Sequence, residues 1–336
     1  MTKFDAGPVK ASKPELSVVT PVYNESRNIE ALLKRLLPVL ERCSASFEII
    51  FVDDGSTDDT FARLRAAHAA DPRICALSLS RNFGKEIALA AGLDHVRGAA
   101  AIIMDADLQH PPELIETFVA RWKEGYKNVF AQRIGHGLNS PLRRMLTQHF
   151  YKLFGSVGET RLPEGAGDFR LLDAQAVAAL RTMREHARFS KGLYAWIGYK
   201  SAGVPFDVEA RLHGTSTFSY RKLTSLALDG LMSFSTLPLK VWSYIGLTTS
   251  LLALTLASFY LIRTLILGVD VPGYASLIVS ITFFAGIQLL SLGIIGEYIG
   301  RIFAEVKRRP LYLIEERVGF SLHTADDPVS RPPSDR

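Results

Sequence analysis

The 336-residue sequence predicts an α/β protein, a mostly parallel sheet flanked by helices, followed by an amphipathic segment and a two-helix transmembrane hairpin. Three observations lead there. Short β-rich runs alternate with helix-period segments, the pattern of a parallel sheet with crossover helices. From Val241 onward two long stretches carry no charged residue. Acidic residues cluster where three of the strand-like runs end.

Met1 to Pro14 is polar and lacks the apolar core of a signal peptide, so residues 1–14 read as a flexible N-terminus. Leu16–Thr20, Phe47–Val52, Ile74–Leu79, Ala100–Met104 and Asn128–Ala131 read as strands. Between them, Asn28–Leu40, Asp58–Ala69, Lys85–Val96 and Pro112–Glu124 have helical period. Thr57 with Asp58 and Asp59 suits a helix N-cap and a negative first turn, and Pro112 suits the first turn of its helix. Beyond Arg133 the pattern is less regular: Leu142–Phe154 reads as a basic amphipathic helix, Asp168–Leu172 and Val204–Ala210 as short strands. The catalytic-type domain is assigned residues 15–215.

Residues 216–240 mix Arg221 and Lys222 with Leu, Phe and Met, the composition of a helix lying on a membrane surface. Val241–Ile262 and Val271–Gly296 each exceed the roughly 20 apolar residues needed to cross a bilayer. They place spans at 241–265 and 271–297 within a membrane segment of 241–300. Arg221, Lys222 and Lys240 precede the spans and Arg301, Lys307, Arg308 and Arg309 follow them, which puts both termini in the cytoplasm. Residues 301–336 are read as a cytoplasmic tail, disordered after Phe320. Cys43 and Cys75 fit reduced thiols of a cytosolic domain. The net charge of +5 is only mildly basic, and no nucleic-acid partner is expected.

Ligands of such sheets bind beyond the carboxyl ends of the strands. Glu25 follows the first strand, Asp53 and Asp54 the second, Asp105 and Asp107 the fourth, so all can converge on one crevice. Asp-x-Asp at a strand end can hold a hard cation, Mg²⁺ or Mn²⁺, against a substrate diphosphate. A carboxylate at Asp53 or Asp54 can accept the ring N–H of uracil or guanine, or a ribose hydroxyl.

Six motifs follow one another in a known order: Pro21-Val-Tyr-Asn-Glu25, Val52-Asp-Asp-Gly-Ser-Thr57, Ser80-Arg-Asn-Phe-Gly-Lys-Glu86, Met104-Asp-Ala-Asp-Leu-Gln-His-Pro-Pro-Glu113, Gly167-Asp-Phe-Arg-Leu171 and Gly293-Ile-Ile-Gly-Glu-Tyr-Ile-Gly-Arg301. In these the sequence resembles the inverting family 2 glycosyltransferases, in particular the polyprenyl-phosphate sugar synthases of the bactoprenol and dolichol-phosphate type. The resemblance covers roughly residues 15–315. It implies a GT-A type, Rossmann-like fold, with Pro21, Tyr23, Glu25, Asp53, Asp105 and Lys85 on the sugar nucleotide. Asp105, Asp107 and Gln109 would hold Mg²⁺ or Mn²⁺. Arg133, Arg143, Arg144, Arg170, Arg211 and Ser216 would serve the acceptor or phosphate side, with Arg143 and Arg144 equally suited to a solvated or headgroup-facing helix surface. Asp168 is a candidate base or acceptor-positioning group, and Arg170 either orients it or binds phosphate. The family's Arg-x-x-Gly-x-Ser-Lys reads Arg211-Leu-His-Gly-Thr-Ser-Thr217 here, so a lysine contact does not carry over.

The implied reaction moves a sugar from a nucleoside diphosphate, UDP-glucose fitting best, to polyprenyl phosphate at the cytoplasmic membrane, making a lipid-linked donor for cell-envelope glycans such as lipopolysaccharide. UDP-galacturonate, UDP-N-acetylglucosamine, an aminoarabinose donor and GDP-mannose stay open. The family allows homotetramers. A processive polysaccharide synthase would share the front half, but its Gln-x-x-Arg-Trp motif is met only by Arg121-Trp122 with Phe118 at the glutamine position. A non-catalytic, membrane-anchored nucleotide-sugar binder is the other alternative.

Overall fold

The computed structural model describes residues 13–133, 165–186, 188–206, 237–267 and 273–320. Among these the first strands are β1 (Leu16–Val22), β2 (Phe47–Asp53), β3 (Ile74–Leu79), β4 (Ala100–Ile103) and β5 (Asn128–Arg133). They are nearly continuous apolar runs because both faces are covered by helices; every residue of β2 and β3 is buried. The covering helices are α1 (Ile29–Cys43), α2 (Thr60–Ala70), α3 (Lys85–Asp94) and α4 (Leu114–Lys123). On α1, Leu32, Leu36, Val39 and Leu40 recur at helical spacing and pack into the main core with Phe51, Phe118 and Phe169. The helix after β2 begins later than Thr57 suggests: Asp58 Oδ1 accepts from the Thr60 amide at 3.0 Å, while the Thr57 amide bonds to Asn24 Oδ1.

The strands continue with β6 (Ala166–Asp173), β7 (Ser201–Phe206) and β8 (Ile314–Val318), making one eight-stranded sheet in the order β7-β5-β6-β4-β1-β2-β3-β8. β4, β1, β2 and β3 run parallel to one another. From β1 the chain builds outward through β2 and β3, then returns to lay β4 on the other side of β1. The crevice between β1 and β4 is therefore the switch point, where open α/β sheets bind ligands. β6 runs antiparallel between β4 and β5, so its first residues lie beside the carboxyl end of β4.

Two short helices, α5 (Ala174–Thr182) and α6 (Ser190–Trp196), follow β6. Asp173 caps α5, its side chain accepting from the Gln175 amide at 3.0 Å. α3 lies close on the sheet through Gly92, where an added methyl would overlap the Val19 side chain and crowd Val52. Gly92→Ala is expected to lower the unfolding midpoint, by about 1–3 kcal/mol in stability; thermal denaturation of the purified protein measures it.

β8 is the largest departure from the sequence reading, which left residues 301–336 as a tail. It pairs antiparallel with β3 and closes that edge of the sheet. Arg65 Nε donates to Glu316 Oε1 at 2.8 Å, Tyr312 donates to Asp94 at 2.8 Å, and the Ser80 amide donates to Leu313 O at 3.0 Å. The chain thus divides into one compact unit of residues 1–223 with 310–336, and a second of 224–309.

In the second unit, α7 (Leu237–Leu267) and α8 (Tyr274–Val306) are long helices. The part of α8 from Val279 to Val306 is long and apolar enough to cross a membrane, and none of its most apolar window is buried. The described apolar stretch of α7 is the shorter Val241–Leu256. The amphipathic helix expected at Leu142–Phe154 and the surface segment at 216–236 lie outside the described residues.

Candidate active site

The register between β4 and β6 builds the centre of the site. Ile103 faces Arg170 across this antiparallel pair, and continuing the register brings Asp105 opposite Asp168. Lys85, first residue of α3, bridges them: its Nζ lies 2.7 Å from Asp105 Oδ1, 2.8 Å from Asp105 Oδ2 and 3.2 Å from Asp168 Oδ2. Burial would lower the Lys85 pKa, but the charges of Asp105 and Asp168 outweigh it and hold the ammonium well above the usual lysine range. Burial would likewise raise Asp168; Lys85, Lys191 and Arg170 instead hold its carboxyl well below the usual carboxylate range. Its other oxygen, Oδ1, is buried with no hydrogen-bond donor among the described residues.

The loops above the strands are tied to one another by carboxylates. Asp54 Oδ1 accepts from the Phe83 amide at 2.7 Å and Oδ2 from the Gly84 amide at 2.9 Å. Those bonds fix the turn that launches α3 and so place Lys85. Gly55, at φ +69°, lets the same loop come closer still: a Cβ there would stand 2.5 Å from the Arg81 carbonyl carbon. Asn24, itself at φ +54°, receives Thr57 and donates its amide to Ser56 Oγ, joining the ends of β1 and β2.

The sequence matches the profile of Glycosyl transferase family 2 over residues 17–180. It is 50 % identical over 306 residues to the uncharacterized glycosyltransferase sll0501 of Synechocystis, covering 91 % of this chain and 96 % of that one. It is 41 % identical over 302 residues to a prophage-derived bactoprenol glucosyl transferase of Shigella flexneri, covering 90 % and 98 %. The chain belongs to glycosyl transferase family 2. Among solved structures, a mannosyltransferase from Pyrobaculum calidifontis in complex with GDP-Man and Mn²⁺ aligns with a TM-score of 0.46 at 17 % identity, covering 87 % of each chain.

In this family 2 chain the structure sorts the residues singled out from the sequence. Asp105, Asp168 and Lys85 meet. Asp107 follows at the same strand end, its Oδ1 accepting from the Gln109 amide at 3.2 Å around Leu108 at φ +56°. Pro21 lies within β1, opposite Val52, and Tyr23 just beyond β1 is 46 % exposed. Glu25 donates its amide to Thr60 Oγ1 at 3.0 Å and accepts from the Asn28 side chain. Asp53 is buried, with its carboxylate turned onto the amide and hydroxyl of Ser56, and burial pushes its pKa up. Asp53 thus also braces the loop that follows β2. Arg133 ends β5 and is exposed. Arg143, Arg144, Arg211 and Ser216 lie outside the described residues.

Arg170, expected either to orient Asp168 or to bind phosphate, is buried. It is 2 % exposed, its guanidinium is 3.7 Å from the Tyr194 ring centroid, and it donates to Gly167 O at 2.6 Å and Asn128 Oδ1 at 3.4 Å. This placement suits the first of those roles, since its charge acts on Asp168.

Three contributors escaped the sequence reading. Glu86, next to Lys85, is bonded by the amide and hydroxyl of Ser190, which docks α6 under the site; burial and the Asp168 charge push its pKa up. Tyr194 supplies the face on which Arg170 stacks. His110 packs against Phe169 and Phe206 with ring centroids 5.4 Å apart, and burial pushes its pKa down against the pull of Asp105 and Asp107. The signal for Glu86 and His110 was their place inside motifs.

No group of three or more metal-ligating side chains stands together among the described residues. A hard cation that completes its shell with phosphate oxygens and water needs only one or two carboxylates. The paired carboxylates after β4 supply that donor set, and Asp105 already accepts a cation on both oxygens.

Proposed function

We propose that this family 2 glycosyltransferase moves glucose from UDP-glucose to undecaprenyl phosphate at the cytoplasmic membrane. The observation that carries the reading is the near end-to-end match, 98 % of its length, to a protein described as a bactoprenol glucosyl transferase. The site geometry suits it, with a donor-side carboxylate and an acceptor-side carboxylate meeting at one lysine. Asp105 and Asp107, with Gln109 nearby, would hold Mg²⁺ or Mn²⁺, which supplies positive charge against the departing diphosphate.

The lipid phosphate oxygen forms a bond to the anomeric carbon from the face opposite the diphosphate. The bond from that carbon to the diphosphate oxygen breaks, and UDP leaves. A phosphate monoester has its second pKa near about 6 and is largely a dianion in the cytoplasm, so the attacking oxygen needs no base. Asp168, held ionised by Lys85, Lys191 and Arg170, makes a poor base. Its part is positional, and placing two bound reactants is itself a large effect. Arg133 supports the acceptor side, since an exposed planar guanidinium can bind phosphate oxygens in pairs.

The membrane hairpin is supported by topology. β8 shares a sheet with β1–β3, so the chain that leaves the first unit after Leu223 is back by Pro310. It must cross any membrane an even number of times. If α8 spans, a second crossing is required, and the long helix α7 supports one. The apolar, unburied surface of α8 and the basic residues flanking the pair favour two crossings over none.

Membranes carrying the protein should transfer label from UDP-glucose into an organic-extractable, lipid-linked product. Label in insoluble polymer would favour the processive-synthase alternative, and no transfer from any of a panel of nucleotide sugars would favour a binder.

A further inference from the structure

One ammonium group covers both oxygens of a carboxylate that the proposed reaction assigns to a metal. Lys85 Nζ is 2.7 and 2.8 Å from the two oxygens of Asp105 and keeps a third contact, 3.2 Å, to Asp168. The lysine side chain is 42 % exposed, but its backbone is firmly placed. It starts α3, the turn before it is pinned by two hydrogen bonds to Asp54, and the next residue, Glu86, is anchored by Ser190. A divalent ion approaching Asp105 therefore meets a positive charge already seated between its oxygens. Like charges about 4 Å apart near a protein surface repel strongly enough to change a binding constant by tenfold or more.

We infer that Lys85 is an internal counter-ion that keeps Asp105 closed to the metal until a diphosphate arrives. The sugar nucleotide's phosphates offer the ammonium another partner and offer the metal additional ligands, so donor and metal enter together. Throughout, Lys85 stays within reach of Asp168, whose negative charge would otherwise repel the acceptor phosphate. Lys85 is in this sense a positioning residue for the metal. The inference rests on the reading of Asp105 as a metal ligand.

The test is Mn²⁺ titration of the full chain in detergent, followed by the magnetic resonance signal of free Mn²⁺, with and without UDP. Wild type and Lys85→Arg should bind Mn²⁺ weakly alone and about tenfold tighter with UDP. Lys85→Met should bind Mn²⁺ without UDP about tenfold tighter than wild type, although its transfer rate falls. A merely structural role for Lys85 would not tighten metal binding. Lys85→Met combined with Asp168→Asn removes the unpaired carboxylate as well and should behave as Lys85→Met does, guarding against misfolding. Equal or weaker Mn²⁺ affinity in both variants without UDP would overturn the inference while leaving the metal reading standing. If wild type takes up no Mn²⁺ even with UDP, Asp105 is not a metal ligand and both fall together.

Discussion

Asp107→Asn is expected to reduce sugar transfer at least about 100-fold while leaving the fold intact, the scale on which preorganised charge stabilisation acts. The substitution is chosen because of what it keeps. Asp107 Oδ1 accepts from the Gln109 amide, and an asparagine oxygen can make the same bond, so the turn through Leu108 survives. What is lost is one negative charge at the end of β4, where the cation on the diphosphate would sit. Steady-state transfer over a range of Mg²⁺ and Mn²⁺ concentrations would measure the loss. Full activity of the variant in the presence of a chelator would remove Asp107 from the metal site.

The second large effect is expected in stability. Arg170→Leu removes a buried cation from beside Asp168, Glu86 and Tyr194. Taking away one partner of a buried charge cluster typically costs roughly 3–5 kcal/mol, because the remaining charges stay buried without compensation. Arg170→Lys should recover only part of this, since an ammonium cannot both stack flat on Tyr194 and reach Gly167 O and Asn128. Chemical denaturation of the detergent-solubilised protein would report it. Unchanged stability in both variants would mean that the cluster around Asp168 is held by other contacts.

How much of this was legible beforehand depended on where each signal resides. β1 to β5 and their four helices could be read locally, because fully buried strands are apolar runs and the helices carry their own period. β8 could not. Ile314-Glu-Glu-Arg-Val318 alternates half-buried and exposed positions on a sheet edge and carries three charges, so nothing local distinguishes it from a solvated tail. Its place is set by pairing with β3, far away in sequence. α5 had a readable start in Asp173, which the sequence reading left without a role. The site divides the same way. That Glu25, Asp53 and Asp105 belong to neighbouring strand ends followed from the α/β alternation. That Asp168 faces Asp105 depends on the antiparallel register of β6, and that Arg170 is covered depends on Tyr194 packing over it. Neither is written in a motif. The bonds from Ser56 to Asp53 are likewise invisible to a one-dimensional reading.

The return of the chain to β3 also governs the order in which the protein can be made. Ribosomes add roughly 5–20 residues per second, and domains tend to fold as they emerge. β1 to β7 and the helices between them can assemble early, but β8 leaves the ribosome only after both long helices have been synthesised. For something between ten seconds and most of a minute on that scale, β3 waits as an open edge with unpaired backbone groups, the kind of surface on which strands of other chains add. Synthesis of α7 and α8 and completion of the sheet are thus successive steps, and a delay in the first prolongs the exposure of the β3 edge.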